Sequence, residues 1–135
     1  MQAFKSLDSG SARKALELLE KEYADAKYYL DFSTPVDLLV AAILSAQTRD
    51  EVVNSVTPEL FKHFKTAKDY AGAGADGLLK YIRRVSFAGN KAKNIVAACR
   101  IVSEKYGGMV PNRMEQLVEL PGVGRKTANT ILRKQ

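Results

Sequence analysis

Residues 112–133 read NRMEQLVELPGVGRKTANTILR, and this stretch decides the architecture. Leu120-Pro121-Gly122-Val123-Gly124 cannot continue a helix, because proline removes a backbone N–H and the glycines favour chain reversal. Before the break, Asn112 followed three residues later by Glu115 has the spacing of a helix cap. After it, Ala128, Ile131 and Leu132 share one face of a helix that begins near Arg125. The stretch predicts a short helix, a tight turn and a second helix. Gly122 and Gly124 let backbone N–H groups converge on the second helix's N-terminus without interference from a Cβ. That makes an anion site suited to a single phosphate. The positive end of the helix dipole adds about 0.3–1 kcal/mol.

Two other readings of the turn fare worse. A nucleotide-binding P-loop needs G-x-x-x-x-G-K-[ST] after a strand; here Arg125 separates Gly124 from Lys126, and a helix precedes the turn. A plain glycine turn between packed helices explains Gly122 and Gly124 but not the Arg125-Lys126 pair. Cations at a helix N-terminus oppose the dipole, so a functional cause is expected for them.

Outward from this motif the chain reads as helices, with no convincing strand. Asn90 to Tyr106 turns Ala92, Ile95, Val96, Cys99 and Val102 inward, and Gly107-Gly108 ends it as a left-handed cap. Thr34 before Pro35 marks a helix start, and the following LLVAAILSA is apolar all round, as in a helix buried at the centre of a bundle. Thr48-Arg49-Asp50-Glu51 has capping-box spacing for the next helix, which lines up Val52, Val53, Val56, Leu60, Phe61 and Phe64. Pro58 is expected to kink that helix or restart it with Thr57 as a new cap. The glycine-rich stretch 71–77 (AGAGADG) is expected as a connector before a short amphipathic piece, Leu78 to Arg84. Ser11 to Tyr23 adds one more helical pattern. The class is all-α, a helical bundle.

Composition narrows the functions. The 135 residues, 46% apolar and 27% charged, suffice for one globular core. A single cysteine, Cys99, excludes an intramolecular disulfide framework and any four-cysteine metal site, and reads as a core residue. The one histidine, His63, sits beside Lys62 and close to Lys65 and reads as a surface residue. The longest apolar run, Leu38 to Leu44, falls far short of the ~20 residues that span a bilayer. No membrane partner and an intracellular place are expected. Residues 1–60 carry six Lys/Arg against ten Asp/Glu, whereas 61–135 carry fifteen against five, a swing from −4 to +10. Such asymmetry points to a polyanion-facing half.

At LPGVGRKTAN, 120–129, the sequence resembles the helix–hairpin–helix of the endonuclease III family of DNA repair glycosylases. LLVAAILSAQTRD at 38–50 and YIRRVSFAGNKAKNIVAACRIVSEKYGGMVP at 81–111 also match, in the family's order and spacing. The resemblance covers roughly residues 30–135. It implies a helical-barrel glycosylase fold: an N-terminal helix and linker over 1–30, and a six-helix-barrel domain over 31–135 with the helix–hairpin–helix at 112–133. It also implies base excision repair, in which a damaged, oxidised pyrimidine is flipped from the duplex and excised. Lys126 matches the lysine whose amine attacks C1′ to form a Schiff base, with strand cleavage by β-elimination following. A lysine attacks only as the neutral amine, so that role calls for desolvation and a carboxylate to take the proton.

Gln47 matches the glutamine that enters the space vacated in the duplex. Phe87 stands where the family places an apolar wedge, often leucine. Gly122, Val123 and Gly124 match the phosphate-gripping hairpin, with Arg125 and Lys91 as further DNA contacts. Carbonyls of Val118, Leu120 and Val123 match positions that hold a monovalent cation. The partner implied is double-stranded DNA carrying a damaged base or abasic site, bound by a monomer in the cytoplasm or nucleoid. The family's catalytic aspartate lies beyond the second hairpin helix, and the four cysteines of its C-terminal iron–sulfur cluster have no counterparts here. The expectation is therefore a fragment or shortened relative without that cofactor, binding DNA weakly and turning over little, with Asp50 as a substitute carboxylate if cleavage persists. Phe87-Ala88-Gly89 departs from the bulkier polar residues that commonly follow the wedge. Two other classes remain: a non-catalytic helix–hairpin–helix binding module, and a bundle that ignores DNA.

Overall fold

The computed structural model describes residues 30–134. Over that span the chain forms α1 (Pro35–Leu44), α2 (Asp50–His63), α3 (Ala67–Ile82), α4 (Ala88–Lys105), α5 (Met114–Leu117) and α6 (Arg125–Lys134). No strand occurs among the described residues, in keeping with the all-α reading. The helix expected over 11–23, and the N-terminal segment up to residue 29, lie outside them.

α1 is the centre of the molecule. Thr34 Oγ1 accepts the Asp37 N–H at 3.1 Å, Pro35 occupies the first turn, and Asp37 Oδ2 accepts the Ser33 N–H at 3.2 Å. Those bonds satisfy donors that a helix start leaves open, so the helix can begin just before its buried stretch. Every residue from Val36 to Leu44 is buried. α1 packs against α2, α4 and α6, while α3 and α4 lie along one another. Leu38, Leu39, Ile43, Leu60, Leu78, Ile82, Ile95, Leu117 and Leu120 are all but fully enclosed, which joins the hairpin turn to the same core. Truncating one of these leucines or isoleucines to alanine costs about 2–5 kcal/mol.

The structure corrects four local expectations. Thr48 does not cap α2: Arg49 stands at the cap position without a side-chain bond, and the Thr48 hydroxyl is engaged elsewhere. α2 runs through Pro58 without restarting. Thr57 is fully buried and its hydroxyl has no partner among the described residues, so it caps nothing. Burial of Val53, Val56, Thr57 and Leu60 offsets the roughly 3 kcal/mol that an interior proline costs.

The connector expected over 71–77 narrows to a kink inside α3, with Ala71, Ala73 and Ala75 carrying helix on either side of it. The interruption shrinks to Gly74, at φ 75° and ψ 167°. Asn112 does not cap α5; Arg113 stands at the cap position, and the helix is a single turn. The other expected helix end is observed: Gly107 and Gly108 have φ 62° and 87°, and the Gly108 N–H bonds back to Val102 O at 2.9 Å.

Candidate nucleic-acid interface

The C-terminal end of α1 and the first two turns of α6 face each other across a cavity of about 260 Å³, lined by Ser45, Ala46, Gln47, Lys126, Thr127 and Thr130. Lys126 and Thr130 are one turn apart and share a face of α6. Thr130 Oγ1 donates to the backbone Lys126 O at 3.3 Å, and Lys126 is exposed at the cavity. Thus Gln47 and Lys126, expected from the sequence to act at one nucleotide, lie in one concavity.

The backbone marks the same place. Two non-glycine residues among those described have positive φ, and they are Gln47 at 57° and Phe87 at 55°. A left-handed conformation at such residues costs on the order of 1–3 kcal/mol and persists where the surroundings over-determine it. Phe87 is also 64% exposed, an unusual place for an aromatic ring, and it stands at the N-cap of α4. Both residues that resemblance assigns to entering the duplex are therefore strained and turned outward.

The hairpin packs on α4 and leaves backbone donors open at the start of α6. Gly122 has φ 83°, and a Cβ there would meet Asn94 Cβ at 2.8 Å, so the turn needs glycine to pack on α4. At Gly124 a Cβ would meet nothing within 4 Å, which leaves open space before α6. The Val123 N–H bonds to Leu120 O at 3.0 Å, and Ala128 N–H to Gly124 O at 2.8 Å. The N–H groups of Arg125, Lys126 and Thr127 in the first turn accordingly lack intrahelical acceptors. Arg125 and Lys126 are exposed there, with no acidic residue in the turn and no carboxylate ion pair to either among the described residues.

Lys91 is not where a DNA contact was expected. It is 5% exposed, and its ammonium donates to Leu44 O at 2.8 Å, to Ala46 O, and to Thr48 Oγ1 at 2.9 Å. Three donors meet three acceptors, so none is left for a phosphate. Burial pushes its pKa below the ordinary lysine value.

Asp50 is also misplaced as a proton acceptor for Lys126. Its charge partner on α6 is Lys134, about 12 Å of helix rise beyond Lys126. Its carboxyl is raised above the usual range, chiefly by burial, with Lys134 opposing and Glu51 adding to the shift.

Cys99 is fully buried, and burial pushes its thiol up to about 12, as in an unreactive core cysteine. The carbonyls expected to hold a monovalent cation border the hairpin turn, where Leu120 O retains one lone pair beyond its bond to Val123. Thr127 and Thr130 belong to no motif singled out in the sequence, and Thr48 reads there only as a helix cap. Helical spacing from Lys126 signals Thr130, whereas the capping-box pattern disguises Thr48.

Comparison with known proteins gives the family and the fold. Residues 40–132 match the family model described as HhH-GPD superfamily base excision DNA repair protein. Endonuclease III of Synechocystis sp. is 50% identical over 121 residues, covering 90% of this chain and 55% of that protein. Endonuclease III of Escherichia coli is 43% identical over 103 residues, covering 76% and 49%. A trapped endonuclease III–DNA covalent intermediate superposes with a TM-score of 0.77 at 42% identity, covering 83% of this chain and 53% of that one. The chain spans about half the length of the curated relatives it matches.

Proposed function

Since the chain belongs to the HhH-GPD superfamily of base excision DNA repair proteins, we propose that its cavity receives a nucleoside flipped out of a damaged duplex and presents it to Lys126. The substrate class is DNA with an oxidised pyrimidine or an abasic site, and the reaction is that of a glycosylase and abasic-site lyase.

The observation that carries this reading is that Lys126 and a left-handed Gln47 line one concavity. The hairpin N–H groups grip a phosphate beside the lesion. Gln47 enters the vacated space, and Phe87 presses against the opposite strand. The neutral Lys126 amine forms a C–N bond at C1′ as the glycosidic bond breaks and the base departs with a proton. The C1′–O4′ bond then opens, O4′ taking a proton, to give the imine, and loss of a C2′ proton expels the 3′ phosphate. Carbonyls of Val118, Leu120 and Val123, all hard oxygen donors, suit a monovalent cation that steadies the hairpin against its phosphate.

Borohydride reduction tests the chemistry. Incubated with a duplex bearing one abasic site, the chain is expected to give a covalent adduct that Lys126→Gln abolishes. An undiminished adduct in Lys126→Gln overturns the assignment. A binding module without chemistry shows instead no adduct and full DNA affinity in Lys126→Arg.

A further inference from the structure

The buried ammonium of Lys91 invites a role of its own. α1 has no basic residue in its last turn, although the C-terminal end of a helix favours a cation there. Lys91 reaches across from α4 to supply it, bonding Leu44 O at the end of α1, then Ala46 O and Thr48 Oγ1 on either side of Gln47. The Thr48 hydroxyl uses its second lone pair to accept the Ser86 N–H at 3.0 Å, one residue before Phe87. The Lys91 N–H in turn bonds to Phe87 O at 3.0 Å. One connected set of hydrogen bonds therefore flanks both left-handed residues. Strained conformations of this kind hold only when their surroundings over-determine them, and no other side-chain bond described joins the two loops. Desolvating an ammonium is itself unfavourable, so its retention inside the fold calls for a benefit beyond packing.

We infer that Lys91, acting through Thr48, is a positioning residue that locks the Gln47 and Phe87 loops together so that both enter a damaged duplex as one unit. The inference rests on the repair reading above and adds a residue that touches no DNA. Removing the link frees each loop to relax from its left-handed state, which weakens recognition of a damaged site more than general attraction to DNA.

The test measures affinity of the chain for two duplexes of one sequence, intact and bearing an abasic site, with 2-aminopurine opposite that site reporting unstacking. Lys91→Met removes the donors at nearly constant volume. Thr48→Val removes the shared acceptor while leaving the lysine two partners, and Thr48→Ser restores it. The expected result is a loss of about tenfold in preference for the abasic duplex in Lys91→Met and Thr48→Val, together with a weaker 2-aminopurine signal. Affinity for intact duplex stays within about twofold, and Thr48→Ser behaves as wild type. Should Lys91→Met fail to fold, Thr48→Val decides the matter.

An unchanged preference in Thr48→Val overturns the inference and leaves the repair reading standing. So does a uniform loss of affinity in Lys91→Met with a salt slope shallower by about one, which is the mark of a phosphate contact. A wild-type chain that binds both duplexes equally overturns the repair reading and this inference with it.

Discussion

Gly122 and Gly124 look alike in the sequence and differ in kind. Only Gly122 combines positive φ with a neighbour, Asn94, too close for a Cβ. Gly122→Ala is expected to destabilise the fold by about 1–3 kcal/mol in thermal unfolding, from backbone strain and overpacking together. Gly124→Ala is expected to keep its melting temperature within the range of a surface change, about 0.5 kcal/mol, yet to lose duplex affinity, because the new methyl stands in the open space before α6. Phe87 makes the opposite trade. Glycine accepts φ 55° freely, so Phe87→Gly is expected to leave stability unchanged or raise it by up to about 1 kcal/mol, while preference for an abasic duplex falls. The residues proposed to meet DNA are legible because their types sit in an ordered motif. Their strain is not, since nothing in Gln47 or Phe87 as residues announces a left-handed backbone.

Among the elements, α1, α4 and the hairpin were legible because local chemistry and burial agree there: Thr34-Pro35 starts one helix, Gly107-Gly108 ends another, and the apolar faces follow. The misreadings share one cause, tertiary bonding that overrides local preference. Thr48 is drawn from α2 to Ser86 and Lys91, and Pro58 is carried through α2 by the core. The burial of Lys91, expected as a DNA contact, is invisible locally because its three acceptors lie more than forty residues away in the chain. The start of α3 tests local chemistry directly. Thr66 Oγ1 accepts the Asp69 N–H at 3.2 Å, and Asp69 Oδ2 accepts the N–H groups of Lys65 and Thr66 at 2.9 and 3.1 Å. Thr66→Ala is expected to cost about 1 kcal/mol. The backbone N–H of Lys65, then that of Thr66, holds the Asp69 carboxyl below its ordinary value of 3.8. The folded state thus binds its proton less readily than the unfolded one. Its stabilisation is fully present above pH 3.8 and is lost as the pH falls through the lowered value. Acid titration of unfolding is expected to show a stability loss below about pH 4 that Asp69→Asn lacks.

On the scale of the whole molecule, charge and shape converge. The basic excess belongs to residues 61–135, which include both faces of the hairpin and the α4 turn with Phe87. Affinity for intact duplex is expected to fall steeply with salt, by about a hundredfold between 50 and 200 mM for a footprint of four phosphates. A salt-independent affinity measured by fluorescence anisotropy contradicts that footprint. The central claim is narrower: one amine among the chain's many lysines meets the sugar. Borohydride-reduced adduct formed on an abasic duplex, digested and mapped by mass spectrometry, tests it most directly. The deoxyribose remnant is expected on Lys126 alone; a remnant on Lys91, on Lys134 or spread over surface lysines contradicts the account.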